Sequence, residues 1–103
     1  MALTRDFRLT VQARVREDAE FRRGLMSDAV EALLAGETAL GREILRDYIN
    51  ATLGFPALAE KTGIHPKTLH QMFGPKGNPT AANFFCILNC LQEQEGVRLR
   101  VVA

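Results

Sequence analysis

The stretch from Phe55 to Phe73 reads FPALAEKTGIHPKTLHQMF, and its reading decides how the rest of the chain is understood. Pro56 suits a first helical position, where its missing N–H is no loss, and about two turns of helix run from it to Thr62. Gly63 breaks that helix, and His65-Pro66 starts another that continues over Lys67 to Phe73. A short helix, a tight turn and a second short helix make a helix-turn-helix layout over residues 55–73. The layout makes demands, and they are met in order. Ala59 is the small residue where two helices cross, and Gly63 accepts a positive φ at the turn without steric cost. Ile64 fills the core just after the turn, and Leu69 anchors the second helix with Met72 or Phe73 behind it.

What remains of the second helix is a polar outward face of His65, Lys67, Thr68, His70 and Gln71. Near the start of such a helix, side chains reach base edges in a major groove, and their neighbours reach phosphates. Gln pairs bidentately with adenine, Lys and Thr serve bases or phosphates, and His donates. An ordinary helical hairpin turned to water shows the same polar face, so the spacing alone leaves both readings open.

Working outward, Gly74, Pro75, Gly77 and Pro79 form a loop. Thr80 then caps a last helix, roughly Ala81 to Gln94, with Phe84, Phe85, Ile87, Leu88 and Leu91 inward, and Gly96 closes it. Val97 to Val102, VRLRVV, alternates as a short strand does and would need a partner. That partner would be its own copy or the sheet of another protein. Upstream, Asp18 caps a helix in which Phe21, Leu25, Met26, Ala29, Val30, Leu33 and Leu34 recur at spacings of three and four, and Gly36 ends it. A further helix runs roughly from Glu37 to Leu53 with an apolar stripe of Ile44, Leu45, Tyr48, Ile49 and Leu53. Phe7 to Arg16 alternates apolar and polar residues, a strand pattern, yet Leu3, Phe7, Val11 and Val15 also form a helical stripe. Periodicity does not separate the two.

The 103 residues and 11.4 kDa suit one domain, 47% apolar and 24% charged. No apolar run approaches the ~18 residues of a membrane span, and the N-terminal residues show no signal-peptide pattern. A cytoplasmic location follows as the expectation. Two cysteines do not make a disulfide framework. These features argue against a large multi-domain enzyme, a membrane protein and a stapled secreted domain. The net charge is only +1. Residues 1–53 carry 8 basic against 9 acidic groups, and residues 54–103 carry 5 against 3. Lys61 to Lys76 holds three lysines, two histidines and no acid, so positive charge is local.

Several stretches together resemble a known group. They are Gly54 to Ala59, Lys61-Thr62-Gly63, Lys67 to Pro75 and Gly77-Asn78-Pro79-Thr80, with Leu45 to Thr52 upstream. They are similar to antidote (antitoxin) proteins of bacterial addiction modules, which carry a lambda-repressor-like helix-turn-helix of the XRE type. The resemblance covers roughly residues 18 to 95, and Gly77 to Thr80 is its most distinctive part. It implies an all-α domain of five helices, with Phe7 to Arg16 as a helical extension before it, dimeric on a palindromic DNA operator. It implies base reading by His65, Lys67, Thr68 and Gln71, with His70 close by. Lys76, Asn78 and Thr80 are implied near the backbone, where amides at the start of the last helix also face phosphate. Two positions depart from the pattern. Phe55 or Pro56 stands where such domains often carry a phosphate-touching Gln, and Pro66 stands where a longer polar residue is common. Each removes one contact.

Cys86 and Cys90 share a face of the last helix at i, i+4. With His65 or His70 they would make an irregular zinc set, and their apolar neighbours Phe85, Ile87 and Leu91 favour buried thiols instead. No orienting group or oxyanion hole accompanies a Cys–His pair, so no catalytic residue, metal or cofactor is expected. The expectation is a DNA-binding repressor of antitoxin type, dimeric on double-stranded DNA. The alternative is a module that neutralises a toxin partner and binds DNA weakly or not at all. A small enzyme is the third reading, and nothing in the sequence favours it.

Overall fold

The computed structural model describes residues 5–103. Leu3, the first position of the expected N-terminal stripe, lies outside the described residues, as does the side chain of Val11. Among the described residues six helices form: α1 (Arg5–Glu17), α2 (Ala19–Leu34), α3 (Thr38–Ala51), α4 (Gly54–Thr62), α5 (Pro66–Met72) and α6 (Ala81–Glu95). Among the described residues none is in a strand, and no helix is long and apolar enough to cross a membrane. The chain divides into two compact units, one ending at Gly54 and the other running from Phe55 to Ala103.

In the first unit, the segment that alternates like a strand is helix α1. Its side chains show why the stripe was the better guide: Val15 is buried, while Leu9, which belongs only to the alternation, is exposed. Phe7 is also exposed, so the stripe is buried at one described position rather than along its length. Asp18 separates α1 from α2 and caps the latter, its Oδ1 accepting from the Phe21 N–H at 3.0 Å. The Arg22 guanidinium donates to the carbonyls of Val15 and Arg16, both at 3.0 Å, which satisfies acceptors that the end of α1 leaves open. Arg14 lies 4.6 Å from the centre of the Phe21 ring, a cation–π contact across the same junction.

Between α2 and α3 the packing is closer. A Cβ on Gly41 would stand 2.6 Å from Leu33 Cγ and 3.0 Å from the Ala29 carbonyl oxygen, so a glycine is what allows this approach. Met26, Ala29, Leu45, Tyr48 and Ile49 are buried. Leu34, expected with the apolar set of α2, is exposed instead because it occupies the last helical position, past the edge of the stripe.

In the second unit, Phe55, Leu58 and Ala59 of α4, Leu69 and Met72 of α5, Phe73, and Phe84, Ile87, Leu88 and Leu91 of α6 are buried. Rings join the elements. Phe73 meets Phe55 edge-on at 5.5 Å and Phe84 at 6.5 Å, within the range of favourable aromatic pairs.

Two expectations for α6 are corrected. Phe85 was placed inward and is 66% exposed. The cysteines were expected to be buried, yet Cys86 is exposed and Cys90 half-buried. At roughly 100° per residue, Phe84, Ile87, Leu88 and Leu91 define one stripe, while Phe85 and Cys90 fall on its flanks and Cys86 opposite. Apolar neighbours in sequence did not mean apolar neighbours in space.

The strand expected over Val97 to Val102 does not form either. A strand exists only by pairing, and no other strand is present among the described residues for it to pair with. Gly96, at φ 70°, closes α6 in the left-handed region, where the Val97 N–H donates to the Gln92 carbonyl and the Gly96 N–H to that of Glu93.

Gly24 and Gly41, inside α2 and α3, should respond oppositely to alanine. Gly41→Ala overpacks the α2–α3 contact, costing about 1–3 kcal/mol, against about 1 kcal/mol of helix propensity gained. Gly24 has nothing within 4 Å of an added Cβ. Gly24→Ala should therefore stabilise by about 0.5–1 kcal/mol while Gly41→Ala destabilises. Denaturant unfolding measures both, and a stabilised Gly41→Ala would contradict the close approach of α2 and α3.

Candidate nucleic-acid interface

The region quoted first folds as α4, a turn at residues 63–65, and α5. Gly63 has φ 75°, a value that costs an L-residue with a Cβ roughly 1–2 kcal/mol. Its N–H donates to the Ala59 carbonyl at 2.9 Å. The Thr62 hydroxyl donates to the Leu58 carbonyl at 2.7 Å and accepts from the Ile64 N–H at 3.3 Å. These three bonds hold the turn from the α4 side. From the α5 side, His65 is the N-cap: its Nδ1 accepts from the Lys67 N–H at 3.1 Å, and Pro66 occupies the first turn. Leu69, fully buried, and Met72 fix which side of α5 faces inward. Ile64, expected as a core plug, is half-buried.

Past α5 the chain turns tightly. The Gly77 N–H donates to the Gly74 carbonyl at 3.0 Å, closing a four-residue turn with Pro75 and Lys76 at its corners. Lys76 is exposed there. Thr80 caps α6, its Oγ1 accepting from the Asn83 N–H at 3.2 Å.

The expected site residues separate into two groups. Thr68 and Gln71 of α5, with Lys76, Asn78 and Thr80, line one open depression between α5 and the start of α6. His65, Lys67 and His70 are exposed but lie outside that lining. The exposed His70 ring lies against Phe55 of α4, ring centres 5.3 Å apart and planes tilted by 30°. Asn83 also lines the depression and was missed by the sequence reading. Its signal was positional: it lies three residues after the Thr80 cap, on the first turn of α6.

Chemically the depression offers hydroxyl and amide groups, one ammonium and no carboxylate. Such a set can hydrogen-bond to base edges and phosphates, and it carries no group that would repel a polyanion.

No family model, curated protein or solved structure matches this chain.

Elsewhere in the unit, the cysteines face different surroundings. Burial pushes the Cys90 thiol above its usual range; the Lys61 ammonium pulls the other way, and Glu93 and Cys86 add to the rise. Among the described residues no group of three or more His, Cys, Asp or Glu side chains is placed to hold a metal ion. A raised thiol pKa means less thiolate at a given pH, hence slower alkylation. Iodoacetamide at neutral pH should label exposed Cys86 first, with Cys90 following as the pH is raised. Peptide mass spectrometry over a time course reads the order, and faster labelling of Cys90 would contradict its half-buried setting.

Proposed function

We infer that this protein is a sequence-specific DNA-binding regulator, a repressor of the lambda-repressor-like, antitoxin type that acts as a dimer on its own operator in the cytoplasm. The observation that carries the reading is the joint placement of Thr68, Gln71, Lys76, Asn78 and Thr80 around one acid-free depression beside a Gly63-hinged pair of helices. The motif residues that resemble antidote proteins, above all Gly77 to Thr80, support it independently of that geometry.

In this reading α5 enters the major groove. Gln71 pairs with a base edge, and Thr68 sits beside it. Lys76, on its turn, and Asn78 and Thr80 contact the sugar-phosphate backbone, which sets register without reading sequence. His65 and Lys67, exposed at the start of α5, reach the neighbouring base or phosphate. With a net charge of +1 the chain has little long-range attraction for DNA, so affinity depends on these local contacts and on two copies acting together. A dimer would place its α5 helices on half-sites about one DNA turn apart.

The test is a titration of the protein against its own upstream DNA and against random DNA of equal length, at two salt concentrations. Preferential binding to the upstream fragment that weakens with salt supports the reading, because phosphate contacts release counterions. Gln71→Ala should cost roughly 1–3 kcal/mol on the operator and relax one base position. Lys76→Ala should weaken operator and random DNA alike and lower the salt slope by about one. Equal effects of the two variants on both DNAs would overturn these roles, and no preference for the upstream fragment at low salt would overturn the function.

A further inference from the structure

Cys86 and Cys90 belong neither to the lining of the depression beside α5 nor to the buried core of the second unit. They stand four residues apart in α6, so they share one face of it, a turn apart. Cys86 is exposed and Cys90 half-buried, so solvent reaches the face from which both project. The other residues of that face, Ala82, Asn89 and Glu93, are exposed as well.

The spacing separates two kinds of thiol chemistry. A disulfide needs Cβ atoms about 3.5–4.5 Å apart to close a sulfur–sulfur bond of about 2.05 Å. Side chains at i, i+4 of an α-helix hold their Cβ atoms about 5–6 Å apart. The helix would have to distort before the two sulfurs could join directly. One atom placed between them changes the requirement. Two thiolates on a two-coordinate ion, each at about 2.3 Å, stand about 4.6 Å from one another. Sulfurs that lean toward each other from an intact helical turn reach that separation.

The donor set also narrows the ion. Among the described residues no third His, Cys, Asp or Glu joins the pair. Calcium and magnesium take six or more oxygen ligands, and structural zinc closes its site with four. Two sulfurs alone suit a soft ion that is satisfied by two ligands, and thiolates select Cu(I). Two thiolates and one monovalent cation carry a net charge of −1. Lys61 of α4 acts on Cys90 with the opposite sign, against the like charge of Glu93.

We propose that Cys86 and Cys90 form a two-coordinate site for Cu(I), the ion bridging their sulfurs across one turn of α6. Two S–H bonds break and two Cu–S bonds form. Two protons go to solvent, and no electron is transferred. The site is distinct from the depression beside α5 and does not depend on DNA binding.

The test uses the full chain under anaerobic, reducing conditions, titrated with Cu(I) against a chromophoric Cu(I) chelator. The expected result is one ion per chain with no change of oligomeric state, and X-ray absorption showing two sulfur neighbours. Cys86→Ser and Cys90→Ser should each lower the affinity by about a hundredfold or more, because each removes the second, intramolecular ligand. The paired change Cys86→Ser, Asn89→Cys keeps two thiols in the chain but sets them side by side in sequence, where side chains do not face each other. It should bind as weakly as the single variants. Circular dichroism checks that each variant keeps its helices. Full affinity in any of these variants, or an ion that the chelator removes completely from the unaltered chain, would overturn the proposal. So would one ion per two chains with association lost in Cys86→Ser, which would make the site a bridge between copies. Mild oxidation that closes a Cys86–Cys90 disulfide without loss of helicity would overturn the distance argument beneath it.

Discussion

Phe73 holds the second unit together. It is the residue at which α5 stops, and its ring touches Phe55 on one side and Phe84 on the other. The short helices α4 and α5 and the longer α6 thus share one aromatic seam. Helices of seven and nine residues have little stability of their own, so their existence depends on tertiary contacts of this kind. The seam also sets direction. With Phe73 fixed inward, Leu69 and Met72 follow it into the core, and Gln71 and Thr68 are left on the side that faces the depression. The polar face of α5 is therefore a consequence of where one ring is anchored.

Much of this was legible because the punctuation in the sequence is strong. Asp18, Thr80, Gly63 and Gly96 stand where the structure uses them, as two side-chain caps and two positive-φ positions. Such residues act through local geometry, which sequence displays directly. The failures share a different cause. Phe85 and Leu34 are apolar residues beside a true stripe, and membership of a stripe depends on angle rather than on adjacency. Val97 to Val102 has a strand's alternation, but pairing is a property of two segments and one sequence shows only one. Arg5–Glu17 carried both periods at once, and of the two stripe side chains that are described, Val15 is buried and Phe7 is exposed.

The candidate site divides along the same line. Thr68 and Gln71, on one side of α5, and Thr80, the cap of α6, meet at the depression, while His65 and Lys67 at the start of α5 stay outside it. His70 stays outside it too; the ring opposite it belongs to another helix, and no spacing within α5 announces Phe55. Asn83 was missed for the converse reason: it reaches the depression only because the turn at Gly74 to Gly77 brings the start of α6 back beside α5.

The cap on α5 carries one more consequence, for the tautomer of His65. A ring nitrogen that accepts a hydrogen bond cannot also hold a proton, so acceptance by Nδ1 from the Lys67 amide leaves the hydrogen of the neutral imidazole on Nε2. The outer edge of this histidine is then a donor and never an acceptor. Whatever meets it must bring a lone pair, and a proton added at Nδ1 would end the cap rather than change what the outer edge offers.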